Sequence, residues 1–175
     1  LELIKYTSDY FMYVAEQKNI KFDIIYKQEN IVWTSDRNSL EKILFNLISN
    51  AFKYTPENGT ISLHVEIENN SLVVTIQNSG KGIKESDQQH IFNRCKILEN
   101  FESEVMKGET RTGIGLALSQ SLITLLKGKI EVDSKVNEYT IFTVTLPRLD
   151  ENVTTQKKQK TKGIRADRAL DYVNE

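Results

Sequence analysis

Three polar side chains, Asn46, Asn50 and Lys53, lie in a strongly apolar helical pattern. At about 100° per residue, all three fall within roughly 60° of one another, so they form one stripe beside the apolar face. Amide oxygens suit a hard cation such as magnesium, and a lysine suits a phosphate. Tyr54 adds a flat ring on which a base can lie. Alternatively, the two asparagines face solvent and Lys53 is a surface lysine near a helix end.

A glycine-rich segment, Asn78-Ser79-Gly80-Lys81-Gly82-Ile83, directly follows a strand pattern. Alternation along that strand places four residues on one face: Leu72, Val74, Ile76 and Asn78. If this face meets the helices, Asn78 enters the gap between sheet and helices, where it can accept a hydrogen bond from an exocyclic amine and also donate one. Gly80 and Gly82 allow the backbone to approach a planar ligand. A plain glycine turn is the alternative.

A second glycine pair, Gly113 and Gly115, opens another apolar helical pattern. Free backbone N–H groups at a helix start can bind an anion without any side chain. Arg94 and Arg111 flank the polar segment that precedes this helix and could reach a triphosphate. Taken alone, the pair is equally typical of a capped helix that follows a surface loop.

Apolar periodicity predicts the elements that position these residues. Helices are expected over residues 1–18, 39–54, 85–92 and 113–126, and strands over 21–26, 31–34, 61–68, 72–77, 129–134 and 139–146. Asp36 is expected as an N-cap, Asn69-Asn70 as a tight turn and Gly128 as a C-cap residue. Residues 93–112 have no clear periodicity and are interpreted as a long loop. Because the strongest strand pair is an antiparallel hairpin, we predict an α+β fold, with a mixed, mostly antiparallel sheet and helices on one face.

Composition excludes several classes of protein. The 175 residues contain 23 Lys and Arg against 24 Asp and Glu, so the net charge of -1 gives no global electrostatic reason to bind nucleic acid or a membrane. Apolar runs are too short to span a bilayer. Cys95 is the only cysteine, which excludes an internal disulfide and favours a reducing compartment. With His64 and His90 as the only histidines, a multi-histidine metal site has little material.

In their order and spacing, the motifs resemble the histidine-kinase branch of the superfamily that also holds DNA gyrase and the mismatch-repair ATPases. Residues 46–56 resemble the asparagine box of that family, and residues 78–83 resemble its first glycine box. Ile91-Phe92-Asn93-Arg94 resembles its phenylalanine box, and residues 112–118 resemble its second glycine box. The resemblance covers about residues 20–147.

This resemblance implies a two-layer α/β sandwich, the Bergerat ATP-binding fold, with ATP between sheet and helices. It implies that Asn50, with Asn46, holds Mg²⁺, that Lys53 and Arg94 meet phosphates, and that residues 93–112 form a mobile lid. Asn46, Asn50 and Lys53 are then the catalytic residues. The implied nucleotide-binding residues are Asn50, Lys53, Tyr54, Asn78, Gly80, Gly82, Ile83, Phe92, Arg94, Arg111, Thr112, Gly113, Ile114, Gly115 and Leu116.

The resemblance also implies a domain organisation. Residues 1–18 are expected to be the end of a dimerisation helix or a linker helix, residues 19–148 the catalytic domain, and residues 149–175 a linker toward a receiver-like domain, as in hybrid two-component regulators of gut Bacteroidetes. The implied partners are the dimerisation and histidine-phosphotransfer domain of the same kinase and a downstream receiver. The implied parent is a homodimeric inner-membrane sensor kinase with this domain in the cytosol. The domain itself would bind no nucleic acid and would meet the membrane only through its parent.

The sequence departs from the family pattern at two positions. Asn78 stands where the first glycine box normally has an aspartate that accepts from the adenine amino group. Because hydrogen bonds to charged groups are worth roughly 1 kcal/mol more, Asn78→Asp is expected to tighten ATP binding severalfold. Arg111 stands where the family often has glycine.

Neither His64 nor His90 fits a phosphoacceptor, and both are expected to be exposed. The expected function is therefore to bind Mg-ATP and donate the γ-phosphate to a histidine elsewhere in the kinase. The alternative is a nucleotide-binding regulatory or scaffold module with little or no kinase activity. A gyrase-type ATPase is disfavoured, because the amide of Asn46 cannot act as the base that activates water.

Overall fold

The computed structural model describes residues 2–29, 31–92 and 114–148. The helices are α1 (Glu2–Gln17), α2 (Arg37–Tyr54), α3 (Glu85–Gln88) and α4 (Ile114–Leu125). The strands are β1 (Lys21–Tyr26), β2 (Thr60–Glu68), β3 (Ser71–Ser79), β4 (Lys129–Lys135) and β5 (Tyr139–Pro147). None of the helices in these ranges combines the length and apolar character that crossing a bilayer would require.

The five strands form one sheet in the order β1-β2-β3-β5-β4. Only β1 and β2 pair in parallel, and the other three pairs are antiparallel. The turn between β2 and β3 consists of Asn69 and Asn70, whose φ angles of 46° and 59° are the positive values that a two-residue type I′ turn requires. This tight turn fixes the register of the hairpin, and its prediction is confirmed.

The core lies between the sheet and the helices that cover one of its faces. Helix α2 packs against β3, α1 and α4, while α4 also contacts β4. Ile43, Leu47 and Ile48 of α2 are fully buried, as are Leu63 of β2 and Val74 of β3. The predicted α+β class, with helices on one face of a mixed sheet, is therefore confirmed.

Helix α1 shares this core with α2. Phe11 stacks on Phe52 of α2 at 5.2 Å between ring centroids, and Phe52 in turn meets the ring of Phe22 in β1 edge-on. Ile4 and Ala15 are also buried. The amphipathic pattern of residues 1–18 thus packs the helix against α2 and β1, while the expected domain boundary at residue 18 stays a prediction.

The N-cap of α2 gives a first testable effect. The side chain of Asp36 accepts a hydrogen bond of 2.8 Å from the backbone N–H of Ser39, as its sequence position predicts. Asp36→Ala should lower the free energy of unfolding by about 1 kcal/mol, because this donor loses its partner. Chemical denaturation measures the change, with Asn38→Ala in the same exposed turn as the control. Equal losses in the two variants would contradict the capping role.

Two predicted elements differ from the structure. Residues 31–34 form no strand, and in the described part of the chain no strand pairs with the free side of β1 at the sheet edge. The segment instead buries Ile31 and brings Trp33 under the guanidinium of Arg148, 5.2 Å from the ring centroid. The helix predicted over residues 85–92 is also too long, since α3 ends at Gln88 and a turn follows.

The C-terminal end of α4 differs in detail from the predicted cap at Gly128. Lys127, with a φ of 59°, adopts the left-handed conformation that was expected of a glycine cap. Gly128 follows it and donates its N–H to the carbonyl of Ile123 at 2.8 Å, which completes a Schellman motif. Gly128 has a packing role, since a Cβ there would lie 2.5 Å from the carbonyl oxygen of Thr145.

Candidate functional site

A cavity of about 370 Å³ lies between α2 and the sheet. This volume is in the range of small-molecule sites. Its described lining comes from α2, β3 and the loop after it, the α3 region, the start of α4 and β5: Asn50, Tyr54, Asn78, Lys81, Gly82, Ile83, Lys84, Asp87, Ile91, Leu116, Thr140 and Phe142. Six of these residues were predicted as site residues: Asn50, Tyr54, Asn78, Gly82, Ile83 and Leu116.

Asn78 is a buried polar group of the cavity wall, with 4% of its surface exposed. It lies in the interior of the sheet, paired with Ile61 of β2 and Thr140 of β5. Its amide nitrogen donates to the carbonyl of Ser79 at 3.0 Å. This bond uses one of the two N–H donors of the amide, and Oδ1 is the acceptor atom of the side chain. The predicted burial of the Leu72–Asn78 face is confirmed.

Thr140 lines the cavity and Ser134 supports its wall, although neither was predicted. The hydroxyl of Ser134 donates to the carbonyl of Tyr139 at 2.6 Å and accepts from the N–H of Ile83 at 2.9 Å. Since Ser134 has one proton, Thr140 must be the donor in their 3.0 Å contact. The signal that could have identified Thr140 is its place in the buried alternation of β5, where a polar residue occupies a core position.

The loop after β3 is fastened to the turn between β4 and β5. The N–H of Asn137 donates to the carbonyl of Lys81 at 2.8 Å, and that of Gly80 donates to the carbonyl of Glu138 at 3.2 Å. A Cβ on Gly80 would overlap the carbonyl of Tyr54, and one on Gly82 would overlap the carbonyl of Lys135. The missing side chains of these glycines therefore leave space for other parts of the protein backbone, whereas the sequence suggested that they leave space for a ligand.

An open cleft adjoins the cavity and shares Tyr54 and Lys81 with it. Lys53 and Gly80, two predicted site residues, line this cleft. The ammonium of Lys53 lies 5.4 Å from the centroid of the Tyr54 ring. On the far side of the cleft, the hydrogen bond and the charge of Glu138 raise the pKa of Lys135, so this pair largely neutralises itself.

Three predicted residues lie behind the cavity wall. Phe92 meets Phe142 edge-on, with 6.1 Å between the ring centroids. The amide nitrogen of Asn46 donates to the hydroxyl of Ser119 at 2.8 Å, and its oxygen lies against Gly115. The structure thus brings Asn50 to the cavity lining but directs Asn46 toward α4.

The remaining predicted residues, Arg94, Arg111, Thr112 and Gly113, lie outside the described residues, as does the loop 93–112. Ile114 opens α4, and only its backbone is described. Of the two histidines, His64 is exposed on the outer face of β2, as expected. His90 is half-buried in the turn after α3, which differs from the expected exposure.

The fold and cavity agree with comparisons to known proteins. Residues 35–150 match the family model of the Histidine kinase-, DNA gyrase B-, and HSP90-like ATPases. Histidine kinase P4 of Formosa agariphila is 33% identical over 148 residues, which are 83% of this chain and 11% of that protein. Sensor histidine kinase YcbM of Bacillus subtilis is 36% identical over 115 residues, which are 66% of this chain and 36% of that protein. The chain therefore belongs to the ATPase-domain family of the sensor histidine kinases, and it spans only a part of these relatives.

Solved structures show the same architecture. The catalytic domain of histidine kinase ThkA matches with a TM-score of 0.71 at 27% identity, over 84% of this chain and 91% of that one. A complex of ThkA with the response regulator protein TrrA matches with a TM-score of 0.69 at 26% identity, over 85% of this chain and 40% of that one. Full-length ShkA in complex with AMPPNP matches with a TM-score of 0.71 at 20% identity, over 84% and 29% of the two chains, and so supports the fold alone.

Proposed function

We propose that the cavity binds Mg-ATP and that the domain donates the γ-phosphate to a histidine on the dimerisation domain of its parent kinase, in two-component signal transduction. The observation that carries the proposal is the buried amide of Asn78 beside Thr140, in a wall that is otherwise largely apolar. Apolar side chains such as Ile83, Leu116 and Phe142 suit the faces of a purine. The Oδ1 atom of Asn78 can accept from the exocyclic amine of adenine.

The polar end of the proposed site lies on the last turns of α2. Asn50 lines the cavity and offers the amide oxygen that a hard cation prefers. Magnesium, when bound, would neutralise part of the phosphate charge. Lys53, on the adjoining cleft, supplies a positive charge next to this position. Arg94, Arg111, Thr112 and Gly113 enter the proposal only through their place in the family motifs.

Calorimetric titration of nucleotide with and without magnesium tests this site. Asn50→Ala should remove the magnesium dependence of ATP binding, because the cation loses a ligand. Lys53→Ala should weaken binding about tenfold, as expected when a charge-assisted contact worth about 1.4 kcal/mol is lost. Lys42→Ala, an exposed change on the same helix, is the matched control. Equal binding by all four proteins would contradict the site assignment.

Phosphotransfer requires the rest of the kinase. We propose a homodimeric parent with a dimerisation domain and a downstream receiver, and with this domain in the cytosol. The complex of ThkA with its response regulator supports the receiver as a partner. The Formosa agariphila relative gives limited support to an origin in a Bacteroidetes hybrid regulator.

Adding a separately produced dimerisation domain together with ATP distinguishes a kinase from the alternative function, a regulatory nucleotide-binding module. Transfer of label from ATP to the histidine of that domain supports the kinase. Nucleotide binding without transfer supports the regulatory module. That alternative has one specific basis, the replacement of the expected aspartate by Asn78.

A further inference from the structure

Asn46 lies on the polar stripe of α2, yet both ends of its amide face α4. We infer that Asn46 and Ser119 form a positioning pair that holds the first turn of α4 in place, and that Asn46 acts through this helix and does not ligate a metal. The inference rests on the proposed function, because the first turn of α4 forms part of the proposed nucleotide site.

The first observation is the hydrogen bond between the two side chains. The amide nitrogen of Asn46 donates to the hydroxyl oxygen of Ser119 at 2.8 Å, across 73 residues of sequence. Ser119 is 1% exposed, so this hydroxyl lies inside the interface between α2 and α4. A buried hydroxyl needs a partner, and Asn46 supplies it from the facing helix. The bond therefore joins α2 and α4 directly across their interface.

The second observation concerns the other end of the amide. The Oδ1 atom of Asn46 occupies the place that a Cβ on Gly115 would take. Gly115 and Ser119 are four residues apart, so they lie above one another on the same face of α4. Oxygen and nitrogen of one amide thus contact successive turns of this helix, which fixes both its distance from α2 and its position along the axis.

The position of α4 affects the cavity through Leu116. This residue follows Gly115 in the first turn of α4 and lines the cavity directly. The start of a helix also presents the free N–H groups that bind an anion. A binding group is effective when its supporting contacts hold it in place before the ligand arrives. Asn46 and Ser119 provide such a support from outside the cavity.

Hydrogen exchange in the ligand-free chain tests the positioning directly. Ser119→Ala removes the hydroxyl with little change in volume. The amide of Leu118, which bonds to the first residue of α4, should then exchange roughly five- to tenfold faster, as the loss of one hydrogen bond predicts. Amides of the sheet core, such as Val74, should keep their rates. Ser121→Ala is the matched control, because that hydroxyl bonds only within its own helix, to the carbonyl of Ala117.

Nucleotide titration separates positioning from metal binding. Ser119→Ala and Asn46→Ala should each weaken ATP binding roughly fivefold, the double variant should be no weaker than either, and the response to magnesium should persist in all three. If Asn46 is a metal ligand, Asn46→Ala loses the magnesium response while Ser119→Ala keeps it, and the inference is overturned.

An unchanged exchange rate at Leu118 in Ser119→Ala would overturn the inference as well. If the unaltered chain binds no nucleotide, the proposed function fails, while the exchange measurement still decides whether the pair positions α4. The two failures are therefore distinguishable.

Discussion

Gly82→Ala should lower the free energy of unfolding by about 3 kcal/mol and abolish nucleotide binding. The φ angle of Gly82 is 63°, where an alanine costs about 1 kcal/mol more than a glycine. The larger part of the loss comes from the new Cβ, which would overlap the backbone of Lys135. Relief of that overlap requires the loop after β3 to leave β4, and Gly82 and Ile83 would then no longer line the cavity.

Denaturant titration measures this loss, and Lys127→Gly supplies the control. Lys127 has a similar φ of 59° at the end of α4, outside the described cavity lining. Removal of its side chain relieves left-handed strain alone and should stabilise the chain by up to about 1 kcal/mol. If Gly82→Ala lowers the free energy of unfolding by no more than this left-handed strain, the backbone contact with Lys135 does not constrain the loop.

Asn78→Asp should lower the free energy of unfolding by about 2 kcal/mol at neutral pH. The amide nitrogen of Asn78 donates to the carbonyl of Ser79, and an ionised carboxylate would place an acceptor against that acceptor. The position is 4% exposed, so little water reaches the carboxylate to relieve the conflict. The conflict is present with and without nucleotide, so it lowers the stability of the chain but does not offset the stronger hydrogen bond to adenine, and ATP affinity is still expected to rise severalfold.

The pH dependence identifies the cause of this loss. Burial and the Ser79 carbonyl both favour the protonated carboxyl, so its pKa in the folded chain is raised above the unfolded value of about 4. The destabilisation is then largest at neutral pH and declines as the pH falls toward about 4, where the protonated group can donate again. Denaturation of Asn78→Asp across this range, beside the exposed control Asn58→Asp, measures it. A loss that is independent of pH would contradict this account.

Local patterns were sufficient to predict most of the fold. The apolar periodicity of α2, the alternation in β2 and the Asn69-Asn70 turn each depend on neighbours in sequence, and each was predicted correctly. The strand expected over residues 31–34 failed because a strand also requires a partner, and the edge position of β1 is a property of the whole sheet.

Site residues could be predicted from the sequence only where the residue type itself indicates a binding role. Asn50, Tyr54 and Asn78 stand out as polar or flat residues beside or within apolar patterns, and all three line the cavity. The bond between Thr140 and Ser134 joins two strands, and its geometry depends on their register. The partner of Asn46 lies 73 residues away, so no local pattern indicates that its amide faces α4.

The pairing of β3 with β5 has a consequence for the chain between them. β3 ends at Ser79 and β5 begins at Tyr139, so this one ladder closes a long excursion of the chain that includes the segment between α3 and α4. The entropy lost on closing a flexible loop grows only with the logarithm of its length, and a doubling costs about 0.6 kcal/mol. Selection can therefore lengthen or shorten the segment between α3 and α4 at little cost to folding, while the sheet itself stays the same.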